Sequence, residues 1–134
     1  MNILIVEDNK EVRDFFYEMV NSLGRHEISI LTNGRNALSV LADPDHGFDL
    51  VLLDIEMPRM SGSKVVDMIH DRVKVNFVII TGTPYELPQL PEQIQVLRKP
   101  IEYGDLEAVI ATVEKRLAAS DGPQQDSDPV PSKT

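Results

Sequence analysis

Apolar residues along this chain fall into two rhythms that alternate from one end to the other. Residues 2–6 (NILIV), 27–31 (EISIL), 48–54 (FDLVLLD), 75–80 (VNFVII) and 94–98 (IQVLR) are short apolar runs of strand length, stopped by polar or turn-forming residues. The run at 2–6 is apolar on consecutive positions, as in a parallel strand covered on both faces, while 27–31 alternates weakly and suits a strand nearer an edge. Between the runs the period changes. Val12, Phe15, Phe16, Met19, Val20 and Leu23 stand at relative spacings 0, 3, 4, 7, 8 and 11, which is one face of a helix, and Gly24 closes it. Ala37, Leu38 and Leu41 outline a shorter helix after Asn33 and Gly34, and Val65, Val66 and Ile69 a third, with Ser61 as its N-cap. Leu106, Val109, Ile110, Val113 and Leu117, spaced 0, 3, 4, 7 and 11, give the last. Pro84, Pro88 and Pro91 interrupt the stretch 83–92 (TPYELPQLPE), so a fourth helix between the last two strands is predicted to be short or absent.

Strands alternating with helices predict a doubly wound α/β fold, a five-stranded parallel sheet in the order 2-1-3-4-5. The domain is expected over residues 1–118. From 119 onward the chain turns to Pro, Asp, Ser and Gln with Val130 as its one sizeable apolar residue, and 119–134 reads as a disordered tail or a truncated linker.

Composition narrows the function classes. The chain of 134 residues carries a formal net charge of -9, with its 13 Lys and Arg scattered, which argues against a nucleic-acid surface. No apolar run approaches the roughly 18 residues of a membrane span, and no basic segment precedes the first strand run, so no membrane partner and a cytoplasmic location are expected. Zero Cys fits a reducing compartment.

In such a sheet the ligand site lies outside the carboxyl ends of the strands. There the sequence sets Glu7 and Asp8 after strand one, Asp54 after strand three, Thr81 after strand four and Lys99 after strand five. Carboxylates about 4 Å apart repel by roughly 4 kcal/mol per pair at an effective dielectric near 20. Three converging on one crevice call for a cation, and a few carboxylates leaving room for water and phosphate oxygens is the pattern that Mg²⁺ prefers. With the metal on Asp8, Asp54 and Glu7, an Asp54 oxygen can attack phosphorus while Lys99 and Thr81 neutralise and orient the phosphoryl oxygens.

These residues resemble the receiver domains of two-component response regulators. The resemblance runs from Asn2 to about Leu117 and rests on the Glu7–Asp8 pair, on Asp54 followed by Met57, Pro58, Met60 and Gly62, on Thr81 with Gly82, and on Lys99 with Pro100. It implies a flavodoxin-like fold and an Mg²⁺-dependent phosphorylation switch fed by a histidine kinase or a histidine phosphotransfer protein. By that resemblance Asp54 is the phosphoacceptor, Lys99 pairs with the phosphate, Thr81 reports phosphorylation, and the Glu56 backbone carbonyl joins Glu7, Asp8 and Asp54 around the metal. The output is a changed affinity for a downstream protein partner or fused domain. Such a domain is no enzyme beyond its own phosphotransfer and dephosphorylation. Two other readings stay open: a receiver-like module that binds constitutively, and a small aspartate-nucleophile phosphohydrolase, for which Glu56 would be a poor second acid.

Two departures from the family pattern concern how a signal leaves the site. Position 96, three residues before the lysine, often carries Tyr or Phe in relatives and here is Val96, so an aromatic in-out switch is unavailable. Only 18 residues separate Thr81 from Lys99, with three prolines among them, and phosphorylation is expected to act by ordering residues 82–92.

Overall fold

The computed structural model describes residues 1–57, 62–69, 75–82 and 94–120. Strands β1 (Asn2–Val6), β2 (Glu27–Leu31), β3 (Leu50–Asp54), β4 (Asn76–Thr81) and β5 (Gln95–Arg98) form one sheet, with helices α1 (Lys10–Asn21), α2 (Gly34–Leu41), α3 (Gly62–Ile69) and α4 (Tyr103–Ser120). Every pairing is parallel and the order is β2-β1-β3-β4-β5, as the alternation of patterns predicts. Among the described residues no helix is long and apolar enough to cross a membrane.

The consecutive apolar residues of β1, β3 and β4 divide between two cores, because successive side chains on a strand point to opposite faces. Ile3, Ile5, Leu50, Leu52, Val78 and Ile80 pack with Phe16 and Val20 of α1 and Leu106, Val109, Ile110 and Val113 of α4. Leu4, Val6, Val51, Leu53, Phe77 and Ile79 pack on the other face with Ala37 and Leu41 of α2 and Val65 and Val66 of α3. Edge strand β2 is half exposed, in keeping with its weak alternation.

Local chemistry sets the element ends. Asn9, in an extended conformation, caps α1 by accepting from the Val12 amide at 3.1 Å, and Asn33 caps α2 in the same way from Asn36 at 2.8 Å. Gly24 lies two residues beyond the C-cap of α1 at φ 146°, a left-handed turn that glycine adopts without strain. Several boundaries differ from expectation by one or two residues, β4 and β5 each starting one residue later than the apolar runs. β3 starts at Leu50 because the Phe48 amide donates to His46 Nδ1 instead of entering the ladder, β4 takes in Thr81, and α4 continues to Ser120, two residues past 118. The expected Ser61 cap, the stretch 83–92 with its short or absent fourth helix, and the tail from 121 lie outside the described residues.

Parallel register carries the consequence for function. Val6 stands opposite Leu53, Asp54 opposite Ile80, and Thr81 opposite Arg98. Glu7, Asp54, Thr81 and Lys99 therefore emerge at one rim of the sheet, within about one residue of the same level.

This arrangement predicts that Leu52→Ala, emptying a site buried between β1, β4 and the α1–α4 layer, lowers unfolding stability by about 3 kcal/mol with an unchanged urea m-value.

Candidate functional site

Asp54 is the last residue of β3 and only 2% exposed. Its Oδ1 accepts from the Glu56 amide at 3.0 Å, and Lys99 Nζ donates to the same oxygen at 3.3 Å. Lys99 follows β5 and is registered by its own amide, which donates to the Thr81 carbonyl at 2.7 Å; its bond to Pro100 is cis. Lys99 Nζ also lies 3.6 Å from Glu56 Oε1, so one ammonium serves two carboxylates. Thr81 ends β4 fully buried. A Cβ on Gly82 would be in ordinary contact with both Glu56 carboxylate oxygens and Lys99 Cδ, at 3.8 to 4.0 Å, so the glycine keeps the space above that ion pair open.

Glu7 and Asp8 reach the crevice from the turn after β1 and differ sharply in setting. Glu7 is 1% exposed, whereas Asp8 is exposed. The Asn9 amide donates to Glu7 Oε2 at 3.2 Å, while Oε1 is buried with no hydrogen-bond partner among the described residues. One oxygen from each of Glu7, Asp8 and Asp54 can be taken within 4.8 Å of the others.

Electrostatics follow from that crowding. Burial, then a hydrogen bond shared with Asp54 and the Asp54 charge, push the Glu7 carboxyl up to about 8. At neutral pH Glu7 thus keeps its proton and can donate it in the hydrogen bond shared with Asp54. For Lys99, burial works against the ammonium, but the Asp54 charge and hydrogen bond, with Glu7 and Glu56 behind them, more than offset it and hold its pKa above the ordinary value.

The donor set suits a hard divalent cation. Three carboxylate oxygens converge, one belonging to an orphaned buried group that a cation satisfies as well as a proton does, and Asp8 opens the site to solvent so that an ion can keep part of its water.

The expected residues are accordingly brought together: Glu7, Asp8, Asp54, Glu56, Thr81, Gly82 and Lys99 share one end of the sheet. Pro100 follows Lys99 at the mouth, and Val96, 37% exposed on edge strand β5, stands away from the acids opposite Ile79. Met57 is buried with the α2–α3 core, a packing role; Pro58 and Met60 lie outside the described residues. Sequence reasoning missed Asn9 and Arg13. Asn9 both caps α1 and donates to Glu7, and Arg13 Nη1 donates back to the carbonyls of Asp8 at 2.9 Å and Glu7 at 3.4 Å. An Asn directly before a helical pattern is a readable cap signal; an Arg one turn into a helix is not distinguishable from a solvated one.

A family model described as the response regulator receiver domain matches residues 3–111. The chain is 27% identical over 121 residues to a probable transcriptional regulator, ycf27, of Cyanidium caldarium, covering 87% of this chain and 47% of that protein. It is 29% identical over 130 residues to the sensory transduction protein RegX3 of Mycobacterium bovis, covering 93% of this chain and 56% of the relative. The chain thus spans about half the length of these curated relatives. Among solved structures it is similar to a CheY-like response regulator receiver domain from Methylobacillus flagellatus, with a TM-score of 0.72, 26% identity, and coverage of 84% of this chain and 98% of that one.

The Glu7 shift has a definite sign. Below pH 4.5 both folded and unfolded chains hold the proton; between 4.5 and about 8 only the folded chain does, so rising pH stabilises the unfolded state across that window. In metal-free buffer, unfolding stability should therefore fall as pH climbs from 4.5 to 8, and Glu7→Gln should flatten the slope and raise stability at the upper end by on the order of 2 kcal/mol. Urea midpoints measured across the window in EDTA check this; parallel curves for the two proteins would contradict it.

Proposed function

The chain belongs to the response regulator receiver domain family, and on that premise we propose that it is a phosphorylation-dependent signalling switch with Asp54 as the phosphoacceptor. The donor is the phosphohistidine of a histidine kinase or a histidine phosphotransfer protein. An ionised Asp54 oxygen attacks phosphorus, the P–N bond to the donor imidazole breaks, and the imidazole leaves with the bond's electron pair and takes up a proton. The observation that carries this reading is the setting of Asp54: a carboxylate 2% exposed at a strand end, ion-paired to Lys99 and grouped with two further acids.

Mg²⁺ is the proposed cofactor, held by Glu7, Asp8, Asp54 and the Glu56 carbonyl, and it supplies charge neutralisation and orientation of phosphoryl oxygens. The chain's own groups do the rest. The Glu56 amide and Lys99 fix the Asp54 rotamer, the Lys99 ammonium counters the charge that the phosphoryl group brings, and the Thr81 hydroxyl reports its arrival from the adjacent strand end. The missing side chain at Gly82 leaves room beside Lys99 for the group. The domain acts on no substrate other than its own aspartate.

The output is a changed affinity for a protein partner or a fused domain, in the cytoplasm, with neither nucleic acid nor membrane as the direct partner of this domain. Curated relatives about twice as long support a receiver acting beside other segments. With Val96 in place of an aromatic, transmission runs through Thr81 and the segment that follows Gly82.

Two experiments test the proposal. Incubation with acetyl phosphate and Mg²⁺ should add one phosphoryl group by intact mass; EDTA or Asp54→Asn should abolish it, and labelling that survives Asp54→Asn would refute the assignment. Glu56, with its carboxylate 3.6 Å from Lys99, stands where water reaches the phosphoryl group. Glu56→Asn should accordingly shift the lifetime of the phosphorylated protein severalfold by about 1 kcal/mol in barrier, whereas an identical decay rate removes Glu56 from the mechanism.

A further inference from the structure

Asp8 poses a problem for the proposed metal site, and the role assigned to Arg13 in this section rests on that site. Asp8 is an exposed residue in a turn, and of the three grouped acids it alone has no burial to hold it. The Glu7 carboxyl shares a side-chain hydrogen bond with Asp8, but that bond does not by itself set the direction in which the exposed side chain leaves the turn.

The backbone sets that direction. A residue's Cα–Cβ direction is set by the two peptide planes that flank it, and each plane is rigid. The plane before Asp8 carries the Glu7 carbonyl and the plane after it carries the Asp8 carbonyl. Both carbonyls accept from one atom, Arg13 Nη1, at 3.4 and 2.9 Å. A single guanidinium nitrogen thereby pins both planes and with them the direction of the Asp8 side chain. Arg13 is itself fixed, because its amide donates to the Asn9 carbonyl at 2.9 Å in the first turn of α1, and that turn is capped by the Asn9 side chain. The Asn9 amide closes the loop by donating to Glu7 Oε2 at 3.2 Å. Residues 7–9 are thus held from one side by a helix, and Glu7 and Asp8 leave their carboxylates for the other.

We propose that Arg13 is a positioning residue for the divalent cation: it makes no contact with the ion, and it preorganises Asp8 beside Glu7 by clamping the two carbonyls behind them. Partners of this kind, acting one step behind the ligands, typically change metal affinity by about 10- to 100-fold when removed. The charge of Arg13 acts in the opposite direction, because a cation near the site repels Mg²⁺, so a loss of affinity on its removal cannot come from net charge. Lys10 provides the control. It sits on the same helix with the same charge, exposed and paired with Asp14 at 2.8 Å, and touches neither carbonyl.

Isothermal titration of the whole chain with MgCl₂ gives the test, beside urea unfolding of each variant in EDTA. Arg13→Met keeps the aliphatic stem and removes the donors; it should weaken Mg²⁺ binding by about tenfold while metal-free stability changes little. Arg13→Lys, which retains one donor, should recover part of the loss, and Lys10→Met should bind as the parent does. Parent affinity in Arg13→Met overturns the proposal, and so does an equal loss in Lys10→Met, which would show that the effect does not depend on the two carbonyls. A parent protein that takes up no Mg²⁺ overturns the metal site together with this inference, whereas a parent that binds and an Arg13→Met that binds equally well removes only the role of Arg13.

Discussion

Glu7, Asp8 and Asp54 present oxygens within 4.8 Å of one another, and the energy of crowding like charges is the constraint around which this end of the molecule is arranged. At an effective dielectric near 20 each ionised pair at such a distance costs roughly 3 to 4 kcal/mol, a sizeable share of the stability of a small domain. Two devices within the chain relieve it. Glu7 holds its proton to about pH 8, which removes one charge, and Lys99 lies against Asp54 Oδ1, which balances another. Neither device lets the acids move apart. A site that lowers its charge without dispersing its ligands suits a cation, which on binding would take the place of the proton on Glu7.

The crowding can be held because the scaffold beneath it does not yield. Each central strand is apolar on both faces and packs into a separate core, so a shift in register by one residue would exchange the two cores and bury nothing correctly. Register in turn fixes which residues surface together at the rim: Glu7 follows a Val6 that faces Leu53, and Lys99 follows an Arg98 that faces Thr81. Hydrophobic packing far from the crevice thereby sets the distances inside it.

Much of this was legible in the residues alone, and the reasons are specific. Buried parallel strands announce themselves by unbroken apolar runs, so the sheet, its order and the acids and lysine at its rim could be read off from where each run stops. What escaped was what depends on side-chain direction and on small differences in depth. Glu7 and Asp8 are neighbours of like chemistry in one turn, yet one is buried and the other open, a difference in depth that residue type does not mark. Arg13 was equally silent: its role lies in hydrogen bonds to main-chain carbonyls, which every residue possesses and no sequence pattern marks. Boundaries moved where a side chain captured a backbone amide, as His46 does that of Phe48. The remaining expectations, a shortened fourth helix and a terminal tail, fall on residues outside those described.

Lys99 shows how the same crowding bears on signal output. Its ammonium now divides itself between Asp54 at 3.3 Å and Glu56 at 3.6 Å. A phosphoryl group on Asp54 would bring roughly one and a half to two additional negative charges, as phosphate esters carry near neutral pH, and would claim that ammonium for itself. Glu56, 44% exposed by its side chain and the more distant of the two carboxylates, would then lose its share of that ammonium. Its carboxylate is also the group nearest the open space above Gly82, the residue that leads away from β4. With Val96 in place of an aromatic, competition between Glu56 and a phosphoryl group for one lysine would be the physical route by which charge at Asp54 is felt at the end of β4.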